Sequence, residues 1–173
     1  MNAITPPKTQ LGTPDPIDRT AVRDLYDDYY AVLDDVRLED WPDFFMAECL
    51  YQVIPRENHE RGRNLCTMQA ESRGMLQDRV TGLVRTQVYA PRYYRRFPGP
   101  VRIMPGTDGV RTRHNLLIVQ TLIDQQSDIV LCGACHDLIV RDPDPEAAGR
   151  LRFRERIVVF DSEMVPNSLI YPA

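Results

Sequence analysis

Long stretches of strand-forming residues, separated by short connectors, fill the C-terminal half of the chain and limit its fold more than any other feature. They lie at 101–104, 111–124, 128–141 and 151–163. The connectors between them are short and rich in glycine, proline and aspartate, the residues that turns favour. Because strands joined by short turns pair in antiparallel fashion, the pattern predicts a meander of long strands.

Helical patterns dominate the first half instead. Apolar residues recur at helical spacing from Val22 to Val36, which predicts an amphipathic helix at 20–36. Helices followed by successive hairpins indicate an α+β domain, with the helices packed on one face of a curved antiparallel sheet. Further expectations are a short helical turn at 41–45, a strand at 49–55, a polar loop at 56–66, a helix at 71–88 and an aromatic and basic loop at 90–100.

Length and composition fit one domain. The chain has 173 residues, enough for a single core. Residues 1–17 are rich in proline and poor in apolar side chains, so we expect a flexible arm there and one domain at 18–173. We find neither a membrane-length apolar run nor the apolar centre of a secretion signal, which predicts a cytoplasmic protein. The formal net charge of −4 argues against general nucleic-acid binding, which needs a basic surface.

Two of the four cysteines, Cys132 and Cys135, have the C-x-x-C spacing found in metal and redox sites. They fall within the predicted strand at 128–141, where residues three apart point to opposite faces. The sequence has no second C-x-x-C that would complete four zinc ligands. We therefore expect reduced, mostly buried thiols.

The histidines also limit the chemistry. A Rieske cluster takes its ligands from paired C-x-H and C-x-x-H motifs, and a mononuclear oxygenase iron usually takes two histidines and a carboxylate. The chain has three histidines, His59, His114 and His136, and none stands in such a motif. If the protein takes part in oxygenase chemistry, the iron sites must lie on another chain.

Two blocks of sequence carry a resemblance to a known family: PRENHERGRNLCTMQAESRGMLQDRV at 55–80 and DSEMVPNSLIYP at 161–172. With them the chain resembles the small (β) subunits of bacterial aromatic-ring-hydroxylating oxygenases. Among these it looks closest to salicylate 5-hydroxylase-type small subunits, ahead of terephthalate- and benzoate-type dioxygenases. The resemblance implies a cone-shaped domain of the nuclear-transport-factor-2-like (NTF2-like) or cystatin-like type. It also implies no catalytic, metal-binding or cofactor-binding residue in this chain.

The same resemblance implies the partners. A large (α) subunit would carry a Rieske [2Fe-2S] cluster and a non-haem Fe(II), and NAD(P)H would supply electrons through separate reductase and ferredoxin components. The small subunits would form a trimeric layer against which three large subunits pack. The complete enzyme would hydroxylate an aromatic acid such as salicylate or another substituted benzoate.

Three segments are candidates for subunit contact. An apolar tail at 168–172 would dock either into its own core or onto a neighbouring subunit. Interfaces favour arginine and aromatic residues, so we expect subunit contact at the first of the two remaining segments, with plain surface as the alternative. For the second segment a solvated face is the default and subunit contact is the alternative. These are the loop residues Arg92, Tyr93, Tyr94, Arg95 and Arg96, and the alternate arginines Arg150, Arg152, Arg154 and Arg156 on one face of the last strand.

The alternative function is a stand-alone NTF2-like dehydratase or isomerase. His136 shares a strand face with apolar neighbours, and Glu155 does so with Phe153 and Ile157 on the next strand. A histidine and a carboxylate inside the domain could act as acid and base with shifted pKa values. Hydrogen bonds to neighbours would satisfy both side chains more simply, so we assign neither a catalytic role.

Overall fold

A computed structural model describes residues 17–86, 89–163 and 169–173, apart from the side chain of Pro105. The arm expected at 1–17 therefore lies outside the described residues except for Ile17. The helices are α1 (Arg19–Asp34), α2 (Arg56–Glu60) and α3 (Arg73–Arg85), with 3-10 helices at Leu38–Phe44 and Pro145–Ala147. The strands are β1 (Phe45–Pro55), β2 (Met68–Ser72), β3 (Arg92–Pro98), β4 (Arg102–Gly106), β5 (Gly109–Leu122), β6 (Ser127–Arg141) and β7 (Leu151–Phe160).

All seven strands form one mixed sheet in the order β2-β1-β7-β6-β5-β3, with β4 also paired to β5. The meander from β4 to β7 is antiparallel, as predicted. Strands β1 and β7 pair in parallel, so the first described strand lies beside the last. Helices α1 and α3 pack on one face of this sheet, here called the inner face. The α+β prediction is confirmed.

The apolar stripe of α1 faces the sheet and buries Val22, Leu25, Leu33 and three tyrosines, among other residues. This helix ends at Asp34, two residues before the predicted end, because Val36 has a left-handed φ of 58°. Helix α3 begins at Arg73 rather than at 71, since the Ser72 side chain accepts a hydrogen bond from the Met75 N–H and caps the helix.

Two segments predicted as loops contain regular structure. The prediction of a loop at 90–100 is wrong, because β3 pairs with β5 along its whole length. Its inward positions are occupied by Tyr94 and Arg96, both buried, while Tyr93 and Arg95 point outward. Because the inward-facing Arg96 is charged, the sequence does not show the alternation of apolar and polar residues that marks a strand. The segment at 56–66 likewise begins with the short helix α2.

A β-bulge in β7 changes which residues face inward. Leu138 pairs with Glu155 and Ile139 pairs with Phe153, so Arg154 is an extra residue in β7. Phe153 is buried before the bulge, and Arg156 is buried after it. The prediction that Arg156 shares a face with the other arginines of this strand is therefore wrong, because one inserted residue reverses the alternation.

Candidate functional site

The inner face of the sheet carries an ion pair that is sealed from solvent. Arg156 on β7 and Asp137 on β6 lie opposite each other and are 0% and 2% exposed. A guanidinium nitrogen of Arg156 donates to Asp137 Oδ2 at 2.9 Å, and the Tyr26 hydroxyl donates to the same oxygen at 2.6 Å. Thr112 Oγ1 lies 2.5 Å from the Tyr26 hydroxyl. Two strands and helix α1 thus meet at one carboxylate.

His114 extends this cluster along β5. Its Nε2 lies 2.7 Å from the Tyr30 hydroxyl, which also accepts a hydrogen bond from Arg156 at 2.9 Å. The tautomer of the imidazole decides which of the two groups donates, and His114 Nδ1 has no hydrogen-bond partner among the described residues. Burial, with a smaller effect of Arg156, lowers the pKa of His114 to about 3.

Aromatic rings enclose the guanidinium of Arg156. Its central carbon lies 4.3 Å from the centre of the Tyr29 ring and 5.2 Å from that of Phe153. The rings of Tyr26 and Tyr30 lie within 6 Å as well. Cation–π attraction and the Asp137 carboxylate together offset the cost of removing this charge from water. The arrangement fixes α1 on the sheet.

Burial keeps the thiol and the phenols of the cluster in their neutral forms. It raises the pKa of the Cys135 thiol to about 12, and it raises the pKa values of Tyr26 and Tyr30 as well. Burial also raises the pKa of Asp137, an effect that Arg156 opposes. We take Asp137 as ionised, because Arg156 and Tyr26 both donate to one of its oxygens.

The tail segment Leu169–Ala173 docks into the protein's own core. Ala173 is fully buried, and its backbone oxygen accepts hydrogen bonds from Tyr29 at 2.8 Å and from Tyr51 at 3.4 Å. Its N–H donates to the Tyr51 hydroxyl at 2.8 Å. Of the two positions left open by the sequence, the structure shows docking within the same chain.

His136 and Glu155 lie on the opposite, outer face of the sheet. The His136 ring stacks on that of His59 in α2, with ring centres 5.8 Å apart. Glu155 accepts a hydrogen bond from Arg111 at 3.3 Å. Both side chains are half-buried, so the structure does not place them as a pair inside the domain, as the alternative function required.

The candidates for subunit contact divide between the two faces. Tyr94, Arg96 and Arg156 are buried on the inner face, which contradicts their assignment to an accessible surface. Arg152 is also largely covered, because it pairs with Asp142 and donates to the Asp43 carbonyl. The candidates that stay accessible are Arg92, Tyr93, Arg95 and Arg154, which is exposed at the bulge, together with Arg150 at the start of the strand.

An apolar strip accompanies these residues on the outer face. Phe97 pairs with Leu117 across β3 and β5, and Leu117 pairs with Cys132 on β6. Phe97 and Tyr93 on β3 are 57% and 58% exposed, and Ile129 on β6 is 59% exposed. Several large apolar side chains on one solvent-facing sheet surface are typical of a contact surface. Sequence reasoning missed this strip because it interpreted β3 as a loop.

Cys132 and Cys135 lie on opposite faces of the sheet, as the strand geometry predicts, but the prediction of mostly buried thiols is only half right, because Cys66 is half-buried and Cys132 is exposed. Cys132 is exposed on the outer face and Cys135 is buried on the inner face, and both are free thiols. Across residues 17–86, 89–163 and 169–173, we find no group of three metal-ligating side chains close enough to hold an ion. In the same part of the chain, no helix is long and apolar enough to cross a membrane.

Sequence reasoning also missed most of the inner cluster. The helical pattern includes Tyr26 only as an apolar position, and it assigns no role to Tyr30, His114 or Asp137. One signal was available, since Asp137 interrupts an apolar strand. A carboxylate at such a position needs a buried partner. Its partners lie 19 and 111 residues away in the chain, so the sequence could not identify them.

Comparison with known proteins agrees with this architecture. Residues 17–157 match the SnoaL-like domain family. The chain is 32% identical over 149 residues to the anthranilate 1,2-dioxygenase small subunit of Burkholderia cepacia, covering 86% of this chain and 89% of that protein. It is 27% identical over 146 residues to the beta 2 subunit of the terminal oxygenase component of terephthalate 1,2-dioxygenase from Comamonas sp, covering 83% and 91%.

A solved structure shows the same fold. The beta subunit of a candidate aromatic-ring-hydroxylating dioxygenase from Novosphingobium aromaticivorans superimposes with a TM-score of 0.76 at 31% identity, covering 89% of this chain and 95% of that one. Small subunits of such multi-subunit oxygenases work with a large subunit. The chain has a SnoaL-like, NTF2-like fold and belongs to the small (β) subunits of aromatic-ring-hydroxylating dioxygenases, which are oxidoreductases.

Proposed function

We propose that this chain is a non-catalytic subunit that holds iron-bearing large subunits in their working arrangement. The observation that carries the proposal concerns the polar side chains in the interior of the domain. The polar groups there bond to one another: Arg156 to Asp137 and Tyr30, Tyr26 to Asp137, and Tyr30 to His114. Buried groups engaged in this way stabilise the domain and present no accessible acid or base to a substrate.

The accessible outer face supports a role in assembly. It combines the exposed apolar strip around Phe97 and Tyr93 with arginines such as Arg95 and Arg154. Aromatic residues and arginines are enriched at interfaces, where the forked guanidinium binds carboxylates. We propose that this face contacts another subunit of the complex.

The partner and its stoichiometry follow from the family. The large subunit would carry the Rieske [2Fe-2S] cluster and the non-haem Fe(II), with electrons from NAD(P)H through a reductase and a ferredoxin. A trimeric layer of small subunits with three large subunits would place the cluster of one large subunit beside the iron of the next. The complex would work in the cytoplasm, and the arm at 1–17 would be dispensable for folding of the domain at 18–173.

The relatives suggest the substrate class. Two of them are named for dioxygenases of anthranilate and terephthalate, both aromatic carboxylates. We propose that the complete enzyme hydroxylates an aromatic acid, with salicylate or another substituted benzoate as the first candidates. The sequence blocks at 55–80 and 161–172 favour a salicylate-type substrate within this class.

Metal analysis combined with light scattering tests the proposal. The chain is purified alone and after co-expression with the large subunit encoded beside it. We expect a metal-free, colourless protein in the first case and a brown, iron-containing complex of larger mass in the second. A chain that stays a small oligomer and does not bind the large subunit would refute the assembly role.

A further inference from the structure

Basic side chains form a row across the outer face of the sheet. Arg102 of β4 lies opposite Arg113 of β5, and Arg113 lies opposite His136 of β6. Thr112, which precedes Arg113, is buried on the inner face, so Arg113 points outward, where it is exposed like Arg102. The ring of His59 stacks on that of His136 at the end of the row. These residues, Arg102, Arg113, His136 and His59, are here called the basic row.

The basic row has no counter-ion in its own chain. Across residues 17–86, 89–163 and 169–173, no carboxylate forms an ion pair with any of its four members. Two arginines directly opposite each other on paired strands repel one another. Burial lowers the pKa of His136, and the nearby charges of Arg113 and His59 lower it further. Negative charge is therefore favoured at this place.

Elsewhere on the same face an arginine is paired within the chain. Arg111, two residues before Arg113 on β5, donates to Glu155 at 3.3 Å. The outer face thus supplies a carboxylate to Arg111, whereas Arg102 and Arg113 are left to a carboxylate from outside the chain.

The basic row continues into the apolar strip described above. Leu117 of that strip lies four residues after Arg113 on the same face of β5, which corresponds to about 13 Å. Phe97 pairs with Leu117 and is 57% exposed. Because a protein interface of ordinary size covers both features, one partner can pack on the strip and bind the charges at its rim.

The charge of the row also bears on which partner fits. A two-fold contact between two copies through this face would gather both basic rows in one interface, where like charges repel. Family membership supplies a different partner, since small subunits of this family work with a large subunit.

We propose that the outer face binds the large subunit, with the apolar strip packed against its apolar side chains and the basic row bound to its aspartate or glutamate carboxylates. Each arginine can bind a carboxylate through two parallel hydrogen bonds. This contact rests on the proposed function, and it names the subunit and the chemistry that the assembly role leaves open.

Co-purification with a tagged large subunit tests the contact. Each variant is co-expressed with the affinity-tagged large subunit encoded beside it, and the amount of small subunit retained per large subunit is measured at low and high ionic strength. We expect Arg102→Glu combined with Arg113→Glu to reduce retention by roughly tenfold or more, because like charges would then face each other. High ionic strength should weaken the wild-type complex as well, since salt screens these charges.

Arg19→Glu combined with Arg23→Glu is the matched control. Both arginines are exposed on α1, which packs on the inner face, so this variant should be retained like the wild type. The two double variants, as isolated chains, should each melt within about 2 °C of the wild type. If the outer-face variant does not fold, Arg102→Gln combined with Arg113→Gln removes the charges instead and should still reduce retention by roughly threefold or more.

The outcomes separate this contact from the assembly role. Equal retention of the outer-face variant and the wild type would overturn the contact and leave the assembly role standing. Failure of the wild-type chain to be retained would refute both. Light scattering of the isolated chains covers the remaining occupant: loss of self-association in the outer-face variant, with retention unchanged, would place a second copy on this face and overturn the proposal.

Discussion

Arg154 and Arg156 are two residues apart on the same strand, yet they occupy opposite environments. Arg154 is exposed at the bulge, whereas Arg156 is fully buried against Asp137 and four aromatic rings. On the inner face, Arg156 joins α1 to the sheet. On the outer face, Arg154 is accessible to solvent or to a partner. The role of each arginine therefore depends on the face of the sheet that it occupies, which the bulge determines, more than on the residue type.

The largest effect should come from removing the buried cation. Arg156→Met leaves the Asp137 carboxyl without its cation inside the domain, which should lower the free energy of unfolding by about 3–5 kcal/mol. Arg154→Met, its matched control on the outer face, should change it by less than about 0.5 kcal/mol. Urea unfolding of the two variants measures the difference. Similar stability for both would mean that the two faces do not differ as described.

Adjacent tyrosines of β3 provide a second test of the two faces. Tyr94→Ala should cost about 3 kcal/mol, because it removes a buried ring that packs on Tyr171. Tyr93→Ala removes a ring that is 58% exposed and should cost less than about 1 kcal/mol in the isolated chain. Thermal unfolding compares them. A larger loss for Tyr93 would show that this segment is not the strand described here.

Acid should weaken the inner face through His114. Its pKa is about 3 in the folded chain and about 6.5 in the unfolded chain. The unfolded chain therefore binds more protons between these values, so the contribution of His114 is fully present above pH 6.5 and is lost as the pH falls toward 3. His114→Gln should reduce the loss of stability between pH 7 and pH 4 by roughly 3 kcal/mol.

Urea unfolding at several pH values measures this change in slope. His136→Gln, on the outer face, provides the control and should alter the slope much less, since its half-buried ring is nearer to solvent. An unchanged pH dependence in His114→Gln would show that the folded protein accepts a proton at this histidine.

The smallest effect concerns the two thiols of the C-x-x-C. Cys132 on the outer face should react with iodoacetamide in the native protein, and its alkylation should leave stability nearly unchanged. Cys135 should resist, because it is fully buried and burial raises its pKa to about 12. Mass spectrometry after native and denatured labelling distinguishes them. Equal native labelling would place both thiols on one accessible face.

The sequence predicted the positions of the helices and strands better than it predicted which side chains face inward. Helix α1 and strands β5, β6 and β7 follow from local periodicity, because each pattern runs over ten or more residues. The bulge at Arg154 is a property of the pairing of two strands, so a single strand pattern gave Arg156 the wrong face. Strand β3 was not predicted because the charged Arg96 occupies an inward position, where it pairs with Asp34 of α1.

The site was harder to predict for the same reason. The family resemblance correctly indicated a small oxygenase subunit, whereas the residues alone suggested a His136 and Glu155 pair that lies on the outer face. The interior cluster joins α1 to three strands across more than eighty residues of sequence. Such contacts depend on the complete fold, which local spacing does not encode.

Turnover of the complete enzyme most directly tests whether this chain is non-catalytic. The measurement compares the rate per iron of the co-expressed complex with and without His114→Gln, His136→Ala and Glu155→Gln combined in the small subunit. We expect complexes of equal mass and iron content to differ by less than about threefold, since loss of a general acid or base costs roughly a hundredfold or more. A hundredfold loss in an intact, fully metallated complex would contradict the account and place a catalytic residue in this chain.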